Sequence, residues 1–317
     1  MNFNSELKRA VAQADRILKQ YLPSTDGYAG IAAEAMNYSV EAGGKRLRPA
    51  MLYETALMYG EVPKAAEPFI AAIEMVHNYS LVHDDLPAMD NDLYRRGKKT
   101  THAVYGPGIA TLAGDGLLNL AFETSLKAFE YASFENVSPD AESGLSGSNK
   151  GKVPARSIVR ALNILFEKSG LNGMLGGQSA DVDATEKNRS LSLNEILFIH
   201  EKKTACLLEA SLMIGAVLSG APEKDIKALE KAGSDLGKAF QIRDDILDVE
   251  GDEEKLGKPI GSDSGNNKTT YVTLVGIEKA RHDVKDLSES AVSQLLSLSK
   301  DAAFLIWLVR YLVDREA

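Results

Sequence analysis

Apolar positions recur at spacings of three and four along most of the chain. Residues 3–21, 64–83, 108–131, 155–168, 192–218, 223–249 and 299–315 follow this rhythm and are rich in Ala, Leu, Glu and Lys, which predicts helices. Pro63 and Pro222 stand just before two of these segments, where proline is tolerated. Ala205–Gly220 is apolar on nearly all sides, the pattern of a helix enclosed by others. No series of alternating β-branched positions and no strand–helix alternation is present, so the expected fold class is all-α.

Residues 135–154, ENVSPDAESGLSGSNKGKVP, break the rhythm with Ser, Gly, Pro and charge and almost nothing to bury. A domain linker is one reading. Both flanks are helical, however, and neither carries all the motifs described below. The expectation is therefore one domain over residues 1–317, with a mobile polar loop at about 135–154.

Composition narrows the partners. The 317 residues carry 45 Asp and Glu against 36 Lys and Arg, a formal net charge of −9. That balance argues against non-specific nucleic-acid binding. A single cysteine, Cys206, excludes an intrachain disulfide framework. No secretory pattern opens the chain, and the most apolar stretch, Ala205–Pro222, contains Glu209, so a cytoplasmic protein without membrane insertion is expected.

The acid is concentrated in two places. His83-Asp84-Asp85-Leu86-Pro87-Ala88-Met89-Asp90 closes an apolar helix, and Pro87 should break it, letting Asp90 swing back toward Asp84. Aspartates at a helix C-terminus oppose the helix dipole, so a merely solvated acidic end has its own cost. Gathered carboxylates repel one another unless cations join them, and hard oxygen donors suit Mg²⁺ shared with phosphate. The second cluster, Gln241-Ile242-Arg243-Asp244-Asp245-Ile246-Leu247-Asp248, puts Gln241, Asp244 and Asp248 on one helix face among apolar flanks. Basic residues accompany both: the glycine-bearing Gly43-Gly44-Lys45-Arg46-Leu47-Arg48-Pro49, then Arg95-Arg96-Gly97-Lys98-Lys99, Lys203-Thr204, Lys258 and Lys268. Together they provide charge for two anionic groups.

GGKRLRP, SLVHDDLPAMDNDLYRRG, LAGDGLLNLAFE, GGQSAD, KKTACLLEAS, FQIRDDILDVEGDEEKLGKPIGSD and NKTTYVTL resemble, in order, the signatures of the trans-prenyltransferases, of the bacterial farnesyl or geranylgeranyl diphosphate synthase type. The resemblance spans about residues 30–280. It departs in the long polar loop and in Asp-Leu-Tyr at 92–94. It implies an isoprenoid synthase fold, a helical bundle around a central substrate cavity, in a homodimer of the kind the family forms. It further implies Mg²⁺, three per active site, held by Asp84, Asp90 and Asp244, with Asp85, Asp245 and Asp248 orienting metal-bound water. Arg95, Lys203, Lys258 and Lys268 would hold the allylic diphosphate; Lys45, Arg48, His77 and Arg96 would hold isopentenyl diphosphate. Lys203, Thr204 and Gln241 would stabilise the allylic cation by oxygen dipoles.

The reaction so implied condenses isopentenyl diphosphate with dimethylallyl or geranyl diphosphate. Ser80 lies one turn before Asp84 and Tyr79 flanks it, so the Tyr79 ring is the expected floor for the growing chain and farnesyl diphosphate the expected product, with geranylgeranyl diphosphate the alternative. A class I terpene cyclase would not need the second set of cations. A non-catalytic prenyltransferase subunit should lack an Asp motif or Lys203. A di-metal oxidase would need Glu-x-x-His pairs. Cys206 and His83 are expected to be packing residues.

Overall fold

The computed structural model describes residues 3–134, 151–250 and 269–314 and is all-helical apart from two short strand pairs. Lys258, Lys268 and most of the polar stretch lie outside the described residues. The chain forms two compact units, Met1–Asn163 with Ile214–Gly220 and Ile164–Met213 with Ala221–Ala317.

In the first unit, α1 (Phe3–Lys19), α2 (Gly30–Glu41), α3 (Leu47–Met58) and α6 (Pro107–Leu126) surround α4 (Ala66–Asp84). From Pro68 onward every residue of α4 is buried except His77, Ser80, Leu81 and His83. His77, Ser80 and Leu81 share one side of the helix and continue toward Asp84, so an enclosed helix keeps one open line. The helix ends where expected. Beyond Asp84 the chain turns back, and the Asp90 N–H donates to the Asp84 carbonyl (2.8 Å). Next comes a hairpin of β1 (Tyr94–Arg95) and β2 (Lys98–Lys99), antiparallel, before the short α5 (Thr101–Tyr105). Its two turn residues, Arg96 and Gly97, both have positive φ (53° and 76°), matching the twist of a two-residue hairpin. A parallel pair, β3 (Ala132–Ser133) and β4 (Val153–Pro154), joins the two flanks of the polar stretch within this unit.

The second unit is organised by α11 (Glu223–Glu250). It packs against α12 (Tyr271–Val275), α13 (Ile277–Leu296), α14 (Ala303–Val313) and the segment His200–Ala205. α8 (Met174–Glu186) and α9 (Leu193–Ile199) adjoin that segment too. α7 (Ala155–Ser169) and α10 (Cys206–Leu218) contribute residues to both units. Ser192 and Glu195 form a reciprocal capping box that starts α9.

The sequence pattern predicts one continuous helix over 192–218, and the structure corrects it: His200–Ala205 is a π turn. Two glycines let neighbouring backbones crowd it. A Cβ on Gly177 of α8 would sit 2.2 Å from the Lys203 nitrogen, and one on Gly237 of α11 would sit 2.4 Å from the Ala205 Cα. Such turns insert a residue into the helical ladder and re-aim the side chains they carry. Helices α2, α3, α5, α8, α12 and α13 escape the periodicity reading. α13 buries only Ala280, Val284, Ala291 and Leu295, a narrow stripe in a polar helix, and α8 has two glycines and no broad apolar face. Among the described residues no helix is long and apolar enough to cross a membrane.

Candidate active site

The first unit gathers positive charge. Arg46 is not part of the exposed supply: it is buried at the start of α3, bonded to Glu74 (2.7 Å), Asp15 (2.8 Å) and the Val40 carbonyl. It anchors the basic loop from below. Arg48, two residues on, has a buried Nε without a hydrogen-bond partner among the described residues. Burial pushes its pKa below the ordinary arginine value, with Glu74 opposing and Arg96 adding to the depression. Arg96 donates to the Gly43 carbonyl, tying the hairpin tip to the glycine loop. His77 keeps part of its surface open, yet burial and then the charges of Arg48, Arg96, Arg46 and Arg95 hold its pKa well below the usual histidine range. It is neutral, able to donate one hydrogen bond without adding to the repulsion. Lys45 is exposed beside these groups. So many like charges held together are stabilised by an anion.

The carboxylates of the same unit divide by environment. Asp84 and Asp85 are buried and Asp90 is exposed. Asp85 takes the Arg95 guanidinium at 2.7 Å, and Asp92 stands 3.5 Å from the same group. Burial disfavours the Arg95 charge, but its bonds to Asp85 outweigh this and raise its pKa, whereas for Asp85 burial outweighs the opposing Arg95 and raises the carboxyl above its ordinary value. Asp85 is thus committed to Arg95, while Asp84 and Asp90 are joined through the backbone. Asn78, Asp85, Arg95 and Arg96 line a cavity of about 40 Å³. Tyr79, 6% exposed, stacks edge-on to His83, with centroids 5.9 Å apart. Burial and then Asp84 raise its hydroxyl pKa to about 12, so it stays protonated. Ser80 donates to the His77 carbonyl (2.9 Å). The His83 ring meets the Thr111 carbonyl at 3.1 Å.

In the second unit, Asp181, His200, Lys203, Thr204, Gln241 and Asp245 line a cavity of about 90 Å³. The π turn aims Lys203 at Asp181 (2.7 Å) and the Thr204 hydroxyl at the Gln241 side-chain oxygen (3.0 Å). Thr204 and Gln241 are therefore brought together. Asp244 and Asp248 are half-buried on one face of α11. Asp245, which also lines that cavity, is buried and accepts the Tyr271 N–H (2.8 Å) at the start of α12. Sequence reasoning assigns no role to Asp181, although it closes the quoted GGQSAD motif. Cys206 is 1% exposed and burial raises its thiol to about 11, an inert packing residue. Among the described residues no three His, Cys, Asp or Glu side chains form a metal cage by themselves.

An all-helical protein with carboxylates at one helix end, a crowd of cations needing an anion, and a second aspartate-bearing helix has the equipment of an enzyme that handles diphosphates. Comparison with known proteins makes this specific. The polyprenyl synthetase family matches residues 30–303, and the chain belongs to that family. It is 39% identical to a farnesyl diphosphate synthase of Geobacillus stearothermophilus, over 99% of this chain and 97% of that protein. A geranylgeranyl pyrophosphate synthetase from Pyrococcus horikoshii superposes with a TM-score of 0.83 at 30% identity, each chain covered completely (100%). A Helicobacter pylori geranyltransferase crystallised with magnesium and isoprenyl diphosphate gives a TM-score of 0.77 at 31% identity, covering 99% of this chain and 97% of that one.

Proposed function

We propose that the chain is a prenyltransferase that condenses isopentenyl diphosphate head-to-tail with dimethylallyl and then geranyl diphosphate, giving farnesyl diphosphate. The observation that carries this reading is the first unit's arrangement: Arg48, Arg96 and neutral His77 crowd together where only an anion relieves them, while Asp84 and Asp90 close a neighbouring helix end. Lys45, Arg48, His77 and Arg96 bind the isopentenyl diphosphate. Arg95 and Lys203, each resting on a carboxylate (Asp85 and Asp181), exchange that partner for the allylic diphosphate. Lys258 and Lys268 belong to the same reading on sequence alone.

The donor set fits magnesium, which accepts hard oxygen ligands and keeps positions for water and phosphate, so few protein ligands suffice. Asp84, Asp90 and Asp244 are the proposed ligands, with Asp85, Asp245 and Asp248 behind them; three ions per site follow from the family resemblance. When bound, Mg²⁺ supplies positive charge against which diphosphate departs. The protein supplies the rest. Lys203 and Arg95 hold the leaving group, while the bonded Thr204–Gln241 pair and the Lys203 carbonyl present oxygen dipoles to the allylic cation. The isopentenyl double bond attacks that cation and the released diphosphate takes the proton, so no protein base is required.

The reading treats the two units as a single catalytic domain, cytoplasmic and homodimeric. Exposed Leu112, Leu126 and Phe134 in the first unit provide apolar surface for a second subunit. Incubating the protein with isopentenyl diphosphate and each allylic substrate in turn should give farnesyl diphosphate as the longest major product. No condensation with any of them would refute the activity. Tyr79→Ala should remove the floor beside the open line of α4 and shift the main product to twenty carbons or more. Chromatography of dephosphorylated products reads this directly, and an unchanged chain length would assign the floor to another residue.

A further inference from the structure

A cavity of about 670 Å³ in the second unit lies between α11, α13 and α14, and the proposed reaction makes no use of it. Its size is in the range of pockets that hold small ligands. Its floor is apolar: Ile246, Val284 and Val313 line it and each is less than a tenth exposed. The Ser288 hydroxyl is already satisfied by the Val284 carbonyl (2.7 Å), so the wall adds little unmet polarity. The mouth is cationic. Arg243, Arg281, Lys285 and Arg310 line it against the carboxylates of Glu289 and Asp314, a local positive excess in a chain of net charge −9. Arg281 is engaged by Glu250, and Lys285 holds Glu289 only at 3.9 Å with both side chains exposed. Arg310 is exposed and makes no ion pair among the described residues.

We propose that this cavity is a second, non-catalytic site for an amphiphilic anion, an apolar tail on Ile246, Val284 and Val313 with its carboxylate or phosphate head at Arg310. Apolar burial and a weakly paired cation are complementary to that chemistry and to neither half of it alone. The cavity is also distinct from the metal face of the same helix. At about 100° per residue, Ile246 lies about 200° around α11 from both Asp244 and Asp248.

Calorimetric titration tests it, with the full chain kept in excess magnesium pyrophosphate so that substrate subsites are filled. Decanoate and geranyl monophosphate are the two probes, and decyltrimethylammonium is the charge control. Saturable binding of either anion, with the cation at least about tenfold weaker, is expected. The stronger anion identifies a carboxylate or a phosphate as the natural head. Arg310→Glu, on an exposed surface, should weaken binding about tenfold and leave condensation activity unchanged. Ser288→Trp should fill the cavity and abolish binding, its helicity being checked by circular dichroism. Absence of saturable binding, equal binding of the cation, or binding unaffected by Arg310→Glu would overturn the proposal.

Discussion

Alanine at Asp84 or at Asp244 should lower turnover by about a thousandfold while leaving the helical fold in place. Two unit charges about 4 Å apart interact by about 4 kcal/mol at an effective dielectric of 20, and each ~1.4 kcal/mol is a factor of ten in rate. Removing one ligand carboxylate forfeits about one such interaction. Asp244 is half-buried and Asp84 stands at the end of its helix, so neither substitution excises core packing. Asp245→Ala is the informative contrast. Its carboxylate caps Tyr271 at the start of α12, so its loss should weaken stability by about 1 kcal/mol and turnover far less than its neighbours do. Steady-state kinetics on all three variants, with circular dichroism, decide the matter. Excess chelator should likewise reduce the native enzyme to background. Near-normal turnover in Asp84→Ala, or activity that persists in chelator, would remove the metal from the mechanism.

The second large effect is on stability. Arg46→Met should destabilise the protein by about 3–5 kcal/mol, because it strands Glu74 as a buried charge without its partner. Both side chains of the pair are nearly inaccessible, 5% for Arg46 and 3% for Glu74. Asn78 offers Glu74 only a longer contact of 3.4 Å. Replacing Arg46 and Glu74 together by Met should recover most of that loss, since a buried ion pair is worth little more than apolar packing of the same volume. Urea midpoints of the two single variants and the double variant measure this. A single variant as stable as the native chain would show that the pair is not buried in solution.

Much of the site is legible in the sequence because its residues lie in short contiguous motifs. Helical phase alone puts Gln241, Asp244 and Asp248 on one face, and Pro87 alone requires the turn that returns Asp90 to Asp84. The same local reasoning expects Cys206 to be a packing residue, and it is buried. Local reasoning fails where an interaction spans distant positions. Asp181 meets Lys203 from another helix, and Arg46 meets Glu74 across 28 residues, so no spacing announces either pair. The basic loop also looked uniform in sequence, whereas packing divides it into Arg46, paired with Glu74 and Asp15, and Arg48, whose buried Nε has no hydrogen-bond partner among the described residues.

The helix content, the two aspartate motifs and the family they belong to were determined by the sequence itself, since periodicity and contiguous motifs are local properties. Tertiary structure decided which charges are already spent. The π turn at His200–Ala205 exists because Gly177 and Gly237 let α8 and α11 press against one backbone segment, and no local propensity encodes that pressure. Tertiary packing likewise assigned Asp245 to capping α12 and neutrality to His77, because a carboxylate's partner and a histidine's charge depend on what surrounds them in space.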